Sequence, residues 1–381
     1  MLRIIKFSDR YIGSIICRLF GAFTVPASVK DYKLKKAQRI LIIQLWGIGE
    51  SILTLPAINA LRKKFPDAEI DIAVTSRNKE VYSGIKDINK IIALELSPKS
   101  IIKFIAMNFK RYDLVIDMEE YLNISSIISF FSGSCRIGYS HNARSKLYNI
   151  KVDYNDKQHA SLTFLDLVRV FGAEHEKEGM PQLIYSSSDK KNVDRILRKY
   201  GIGKGALIVG VAPGAAESAK CRMWPYERYA ELCSILIEVN NATILFAGTK
   251  EEDELVKSIM EKIGSKKAVN LAGRLSLKEL FYFVTKCRIF IANDAGAMHI
   301  AAAQGTKTIG LFGPNLPVRF GPYGKGNVGI YKGYNCQFSP CINVHKGEVP
   351  DCLYPKSSSD YQKCMKNISV NEVLVEIEKL M

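Results

Sequence analysis

The chain has 381 residues, of which 47% are hydrophobic and 24% charged. That is enough apolar material to bury the cores of two domains, and it excludes an intrinsically disordered protein. The formal net charge of +16 points to anionic partners: nucleic acid, phosphosugars or an acidic membrane. Nucleic acid is set aside, because no zinc-finger, helix-turn-helix or aromatic-basic platform accompanies the charge.

The excess is uneven. Residues 1–40 hold nine Lys and Arg against Asp9 and Asp31, so +7 of the +16 lies there. Within residues 1–38, Leu2, Ile4, Ile5, Phe7, Tyr11, Ile12, Ile15, Ile16, Leu19, Phe20 and Phe23 are interleaved with basic residues, which predicts an amphipathic helix at a membrane interface. The competing reading is an extra helix packed on the first domain. The segment is too polar to span a bilayer, since Arg18 breaks the apolar run, and it lacks the cleavage pattern of a signal peptide. Nine cysteines without an export signal predict a reducing cytoplasm, with the protein held peripherally at the inner face of the cytoplasmic membrane.

Ile40 to Leu45 is a continuous apolar run of the kind a buried parallel strand needs. The glycine loop Trp46-Gly47-Ile48-Gly49-Glu50-Ser51 follows, then a helix reaching Leu61 to Phe65, with Pro56 expected in its first turns or at a kink. Further strands are predicted at Glu69–Val74, Ile91–Leu94, Leu114–Met118 and Arg136–Tyr139, separated by helical or polar segments. Gly179 to Lys204 carries the interdomain connection and a charged helix. A second βα series begins with a strand at Ala206–Val211, the loop from Pro213 to Pro225, a helix at Tyr226–Val239 and a strand at Thr243–Ala247. Helices at Glu251–Ile263 and Ser276–Lys286 flank a short strand near Val269. A buried strand at Ile289–Ala292 then leads through Asn293 and Asp294 into a small-residue helix, closed by Gly305 as C-cap, and a strand at Thr308–Phe312. The chain therefore divides into an N-terminal segment (1–38), a first Rossmann-like domain (39–185), a second (186–367) and a closing helix (368–381). The fold class is α/β, two parallel sheets facing a central cleft.

In open α/β sheets, ligands bind beyond the carboxyl ends of strands, so the loops after strands are where chemistry belongs. Three stand out. At Gly47 and Gly49 the backbone passes tightly, and Glu50 opens the next helix. Its carboxylate reads either as a general base for a hydroxyl nucleophile or as an ordinary acidic residue complementing the helix dipole. The loop Gly214-Ala215 with Lys220 and Arg222 reads as a diphosphate holder or as a solvated basic loop. The stretch Asn293 to His299 reads as a phosphate site: Asn293 and Asp294 as caps, Gly296 admitting a ligand, and the first helical N–H groups pointing outward at the positive end of the dipole. Cys17, Cys135, Cys221, Cys233 and Cys287 look incidental. Cys336, Cys341, Cys352 and Cys364 cluster in a loop-rich tail, without a CxxC pair, and read as a structural zinc site, a redox-sensitive pair or buried thiols.

Four ordered blocks together resemble glycosyltransferase family 9, the bacterial heptosyltransferases. They are Ile40 to Glu50 with Leu55-Pro56-Ala57, Phe65 to Ile70, Pro213-Gly214 with Arg222-Met223-Trp224-Pro225, and Asn293 to Ala303 running into Leu311-Phe312-Gly313-Pro314. The resemblance spans roughly residues 39–380. It implies a GT-B fold and an inverting, metal-independent transfer with no catalytic cofactor. It also implies a nucleotide-diphosphate sugar donor, typically ADP-heptose, and a lipid-linked saccharide acceptor. It assigns the base to Glu50, where the family carries aspartate. The donor site falls on Gly214, Ala215, Lys220, Arg222, Leu275, Asp294, Ala295, Gly296, Ala297 and His299. Two rival functions stand beside it: a GT-B nucleotide-sugar epimerase, which needs no acceptor, and a degenerate nucleotide-sugar binder, suggested by the Asp-to-Glu change at Glu50.

Overall fold

The computed structural model describes residues 8–27, 37–175, 179–203 and 205–381. Leu2, Arg3, Ile4, Ile5, Lys6 and Phe7 of the predicted N-terminal helix, Lys30, Lys33, Lys35 and Lys36 of the basic N-terminal segment, and Lys204 of the predicted connection lie outside them. The chain forms two compact units, Met1–Lys177 with Val344–Gly347, and Glu178–Asn343 with Glu348–Met381.

In the first unit a helical turn, Asp9–Gly13, runs into α1 (Ser14–Gly21). The strands are β1 (Arg39–Ile43), β2 (Glu69–Val74), β3 (Lys90–Ala93), β4 (Tyr112–Asp117), β5 (Gly133–Tyr139) and β6 (Ile150–Val152). They form one parallel sheet of order β3-β2-β1-β4-β5-β6. Ile40, Leu41, Ile42 and Ile43 are all fully buried, because helices cover both faces of a sheet built this way. Register is set by Ile40 opposite Ile70 on one side and opposite Leu114 on the other.

The helix expected after the glycine loop is two helices, α2 (Ile48–Leu53) and α3 (Leu55–Lys64), broken at Thr54. Pro56 sits in the first turn of α3, where its missing N–H would have had no helical partner. The unit also contains α4 (Lys79–Tyr82), α5 (Pro98–Met107), α6 (Asn123–Ser132) and α7 (Ala160–Arg169). Asp9 fastens the N-terminal helix down: its carboxylate accepts the backbone N–H of Asn123 at 3.0 Å and of Ile124 at 2.7 Å, the first amides of α6. Cys17 packs beneath it on Ile127 and Leu147.

The second unit opens with α8 (Ser187–Lys199), capped reciprocally by Ser186 and Asp189. Its sheet comprises β7 (Ile208–Ala212), β8 (Thr243–Phe246), β9 (Ala268–Asn270), β10 (Ile289–Asn293), β11 (Lys307–Phe312) and β12 (Val328–Tyr331), in the parallel order β12-β11-β10-β7-β8-β9. Around it lie α9 (Tyr226–Asn240), α10 (Asp253–Ile263), α11 (Leu277–Val284), α12 (Gly296–Ala303), α13 (Pro317–Phe320), α14 (Lys363–Lys366) and the closing α15 (Val370–Leu380). Val209, Val211, Ile289, Ile291, Ile309 and Leu311 occupy alternate strand positions and pack on one face against Leu232, Leu236, Val373 and Ile377. Each sheet has a point where the chain reverses direction of growth, between β1 and β4 in the first unit and between β7 and β10 in the second. Among the described residues no helix is long and apolar enough to cross a membrane.

Candidate active site

The predicted site residues other than Leu275 lie at the two reversal points, and buried polar side chains stitch the loops there. In the second unit the loops after β7 and β10 emerge side by side. Asn293, fully buried, accepts hydrogen bonds from the Trp224 backbone N–H and the Tyr229 hydroxyl, each at 3.0 Å. Its amide donates to the carbonyls of Pro213 at 2.7 Å and Gly214 at 3.3 Å. All four are bonds that a side-chain amide alone can make, since it both donates and accepts.

Asn293 is thus committed to the neighbouring loop and does not cap α12. Asp294 does not cap it either. Its carboxylate accepts the Asn315 amide at 2.9 Å and faces Arg222 Nη1 at 3.3 Å, while Arg222 also donates to the Asp294 carbonyl at 3.2 Å. The residue opening α12 is Ala295, in extended conformation, with no side chain bonded to the helix amides. The expected capping is therefore wrong, and the consequence favours ligand binding. Gly296 and Ala297 occupy the first helical positions, whose N–H groups have no partner within the helix, at the positive end of its dipole. His299 lies one turn further on, 5% exposed. Gly305, with φ +77°, is one residue beyond the C-cap Gln304 and closes the helix by bonds from Gly305 N to Ala302 O and from Thr306 N to Ala301 O.

The loop after β7 becomes a kinked turn of tight helix, Glu217–Arg222. Lys220 is exposed on it, whereas Arg222 is half-buried and engaged with Asp294. Gly214 is forced by contact: a Cβ there would lie 1.9 Å from Oε1 of Glu252. Glu252 is held by its own bond from the Thr249 backbone N–H at 2.7 Å, so it cannot swing clear without losing that cap. Ala215 follows, partly exposed, and Leu275 stands half-buried in the loop after β9, just before the Ser276 cap of α11. The predicted donor residues thus all follow the carboxyl ends of β7, β9 and β10.

In the first unit Gly47 takes φ +73° and opens α2, with Gly49 buried behind it. A Cβ on Gly47 would fall 1.8 Å from Oε2 of Glu50, so the carboxyl group folds back over the glycine, at the helix N-terminus. Three features hold this loop. Oε1 of Glu119 accepts the backbone N–H groups of Leu45 at 2.5 Å and Trp46 at 2.8 Å. The Asn78 amide donates to Gln44 O and to Ser51 Oγ, each at 2.8 Å. Thr75 Oγ1 reaches Leu45 O at 2.9 Å. Beneath Glu119, Arg144 and Asp117 form a fully buried ion pair at 2.8 Å, and the Tyr148 hydroxyl donates to Asp117 at 2.6 Å. Burial, with Asp117 close by, pushes the Glu119 carboxyl up to about 8, against the pull of Arg144 and the two amides.

Sequence reasoning missed Glu119, Asp117, Arg144 and Asn315. A signal for the first two existed: Asp117-Met118-Glu119-Glu120 puts three carboxylates directly after an apolar strand, at the position where a loop must cross the reversal point.

The four tail cysteines meet around one small cavity, and Cys221 joins them, so it is not incidental. Burial pushes the thiols of Cys221 and Cys364 up to about 12 and that of Cys341 up to about 11, which keeps them protonated. Among the described residues no group of three or more His, Cys, Asp or Glu is arranged to hold a metal ion.

Comparison with known proteins gives the same reading. Residues 104–347 match glycosyltransferase family 9 (heptosyltransferase). The lipooligosaccharide heptosyltransferase 2 of Haemophilus ducreyi is 24% identical over 360 residues, covering 90% of this chain and 99% of that protein. Among solved structures, a family 9 glycosyl transferase from Veillonella parvula superposes with a TM-score of 0.75 at 20% identity, covering 90% of this chain and 97% of that one. The E. coli heptosyltransferase WaaC with ADP gives a TM-score of 0.66 at 18% identity, covering 90% and 100%. The fold is GT-B, two Rossmann-like units, as the sequence predicted. With more than half its length matched to the family model, the chain belongs to glycosyltransferase family 9.

Proposed function

We propose that this glycosyltransferase moves heptose from ADP-heptose to a lipid-linked acceptor of the lipopolysaccharide type, with inversion and without a catalytic metal, at the inner face of the cytoplasmic membrane. The observation that carries the proposal is the uncapped start of α12 beside the Pro213 loop, an anion site assembled from two loops that Asn293 ties together. The relatives' names supply the heptose, and the ADP in a solved neighbour supplies the nucleotide.

In the proposed reaction Glu50 takes the proton from an acceptor hydroxyl as its oxygen attacks the anomeric carbon from the face opposite the diphosphate. The C–O bond to the diphosphate breaks, and ADP leaves with the bonding pair. Charge develops on the diphosphate oxygens, where the Gly296 and Ala297 amides and the Lys220 ammonium stabilise it by fixed electrostatics. Arg222 adds a guanidinium edge, with Asp294 and Asn315 holding its orientation. These cations and amides do the work a divalent ion would do in a metal-dependent transferase. Gly214 and Ala215 leave space beside the phosphates, Leu275 borders the nucleoside, and His299 lines the helix next to the sugar. Gly47 and Gly49 shape the acceptor side around Glu50.

Isothermal titration with ADP-heptose and with UDP-, GDP- and dTDP-sugars, followed by product analysis with and without a lipid-linked core acceptor, tests the proposal. It predicts tightest binding of ADP-heptose and sugar transfer only with acceptor present. Preference for another nucleotide, or conversion of the donor alone, would overturn it.

A further inference from the structure

The N-terminal helix is apolar on two faces. Gly13, Cys17 and Phe20 turn into the first unit, Phe20 against Phe130 and Phe131 at 5.5 and 5.3 Å between ring centroids. Ile12, Ile15 and Leu19, at helical spacing on another face, are 58%, 57% and 65% exposed, and Phe23 beyond the helix end is 76% exposed. A second element also carries exposed apolar side chains: Ile102 and Met107 of α5 and the following Phe109 are each more than 60% exposed, and Phe109 joins the inward ring cluster through Phe131, at 6.4 Å. Exposed apolar side chains lined up along one helix face mark an interaction site.

Beside it lies a cavity of about 420 Å3, lined by Arg18, Lys146 and Lys151 with Gly21, Thr24 and the buried ring of Tyr148. Arg18 stands one turn from Ile15 on the helix. Gly21 lets the chain carrying Lys146 approach: a Cβ at Gly21 would lie 2.7 Å from the Lys146 Cβ. Thr24 Oγ1 is buried without a hydrogen-bond partner among the described residues. No carboxylate is among the described lining residues. Three cations and a hydroxyl, with no counter-charge among the described lining residues, form a receptor for a phosphate, and the adjoining apolar row supplies the place for the acyl chains attached to it.

We infer that this face docks on an anionic bilayer, with the phosphate of an acidic phospholipid held by Arg18, Lys146 and Lys151 and the side chains of Ile12, Ile15, Leu19 and Phe23 inserted beside it. The inference rests on the membrane association proposed above and adds its ligand and its residues. Each cation near an anionic surface contributes about 1 kcal/mol, so loss of two should lower vesicle partitioning roughly 30-fold.

The test is co-sedimentation of the full chain with phosphatidylcholine vesicles with and without phosphatidylglycerol. Wild-type protein should bind only the anionic vesicles, K146Q/K151Q should bind roughly 30-fold more weakly, and I15S/L19S should release. The pair K191Q/K199Q in α8 of the second unit removes the same net charge without touching the pocket lining and should change binding by less than about twofold. No wild-type binding to either vesicle removes membrane association itself. Binding by the wild type with equal losses for the two lysine pairs keeps association and overturns the pocket. Release by millimolar inorganic phosphate at fixed ionic strength would assign the pocket to free phosphate instead and overturn the lipid. A dimer in light scattering that I15S/L19S dissolves would assign the apolar row to a second copy and likewise overturn it. Unchanged circular dichroism and melting of the variants separate lost docking from lost folding.

Discussion

Replacing Asn293 by alanine removes the fully buried side chain that ties the loop after β7 to the end of β10 by four hydrogen bonds. The change leaves the Trp224 N–H, the Tyr229 hydroxyl and the Pro213 carbonyl buried without their partner, along with the longer bond to Gly214. Each such orphan costs about 1–3 kcal/mol, and with some relaxation the sum is roughly 3–5 kcal/mol. For a unit of this size that lowers Tm by about 10 °C. Nucleotide binding should weaken at least about tenfold, because the loop carrying Lys220 and Arg222 keeps its Arg222 contacts to Asp294 but loses the four buried bonds of Asn293. Asn293→Asp is an informative partner: it keeps an acceptor for Trp224 and Tyr229 but sets a second oxygen against two carbonyl oxygens, so near pH 8 it should fare no better than alanine. Thermal unfolding and titration with ADP read both effects. Stability within about 0.5 kcal/mol of wild type, or unchanged ADP affinity in a destabilised variant, would refute the tether.

Three further outcomes follow from the same geometry. Gly214→Ala drives a methyl into Glu252 and should cost about 1–3 kcal/mol with weaker ADP binding; adding Glu252→Ala should restore part of the affinity, and no rescue would mean the clash is not the cause. Gly47→Ala meets both a φ of +73° and the Glu50 carboxyl, so transfer should fall with little change in ADP affinity, and an equal fall in both would move the effect to the fold. Glu119 titrates in the fold near 8 against an ordinary value of 4.5. A raised carboxyl contributes stability that is complete below about 4.5 and is lost as pH rises through about 8, up to a few kcal/mol. Urea midpoints should therefore fall for wild type between those limits and stay flatter for Glu119→Gln; parallel curves would contradict the assignment.

The strands were legible where the sequence is a run of buried aliphatics, as in Ile40–Ile43 and Ile289–Ala292, because burial on both faces leaves no polar alternation to misread. β6 and β12 were not, being three and four residues long, one interrupted by Lys151 and the other by Gly329; they exist because β5 and β11 offer paired edges. The helix α7 gave a similar miss: its polar positions mask a face packed on α3. The residue types of the donor loops were readable, but their roles were not. Asn293 read locally as a cap, yet its partners Trp224 and Tyr229 stand 69 and 64 positions away. Glu119 reaches back 74 residues to Leu45, and Cys221 meets thiols more than a hundred positions downstream. Local spacing fixes helices and turns, whereas a reversal point is a property of strand order, which no window of sequence contains.

The proposal that this chain transfers sugar by general-base catalysis stands most directly on Glu50. The decisive measurement is kcat for heptose transfer from ADP-heptose to a lipid-linked acceptor with Glu50→Gln, alongside the affinity of the same variant for ADP-heptose. General-base catalysis predicts a loss of roughly 100- to 10,000-fold in kcat with donor affinity within about twofold. A variant that transfers heptose at the wild-type rate would contradict it.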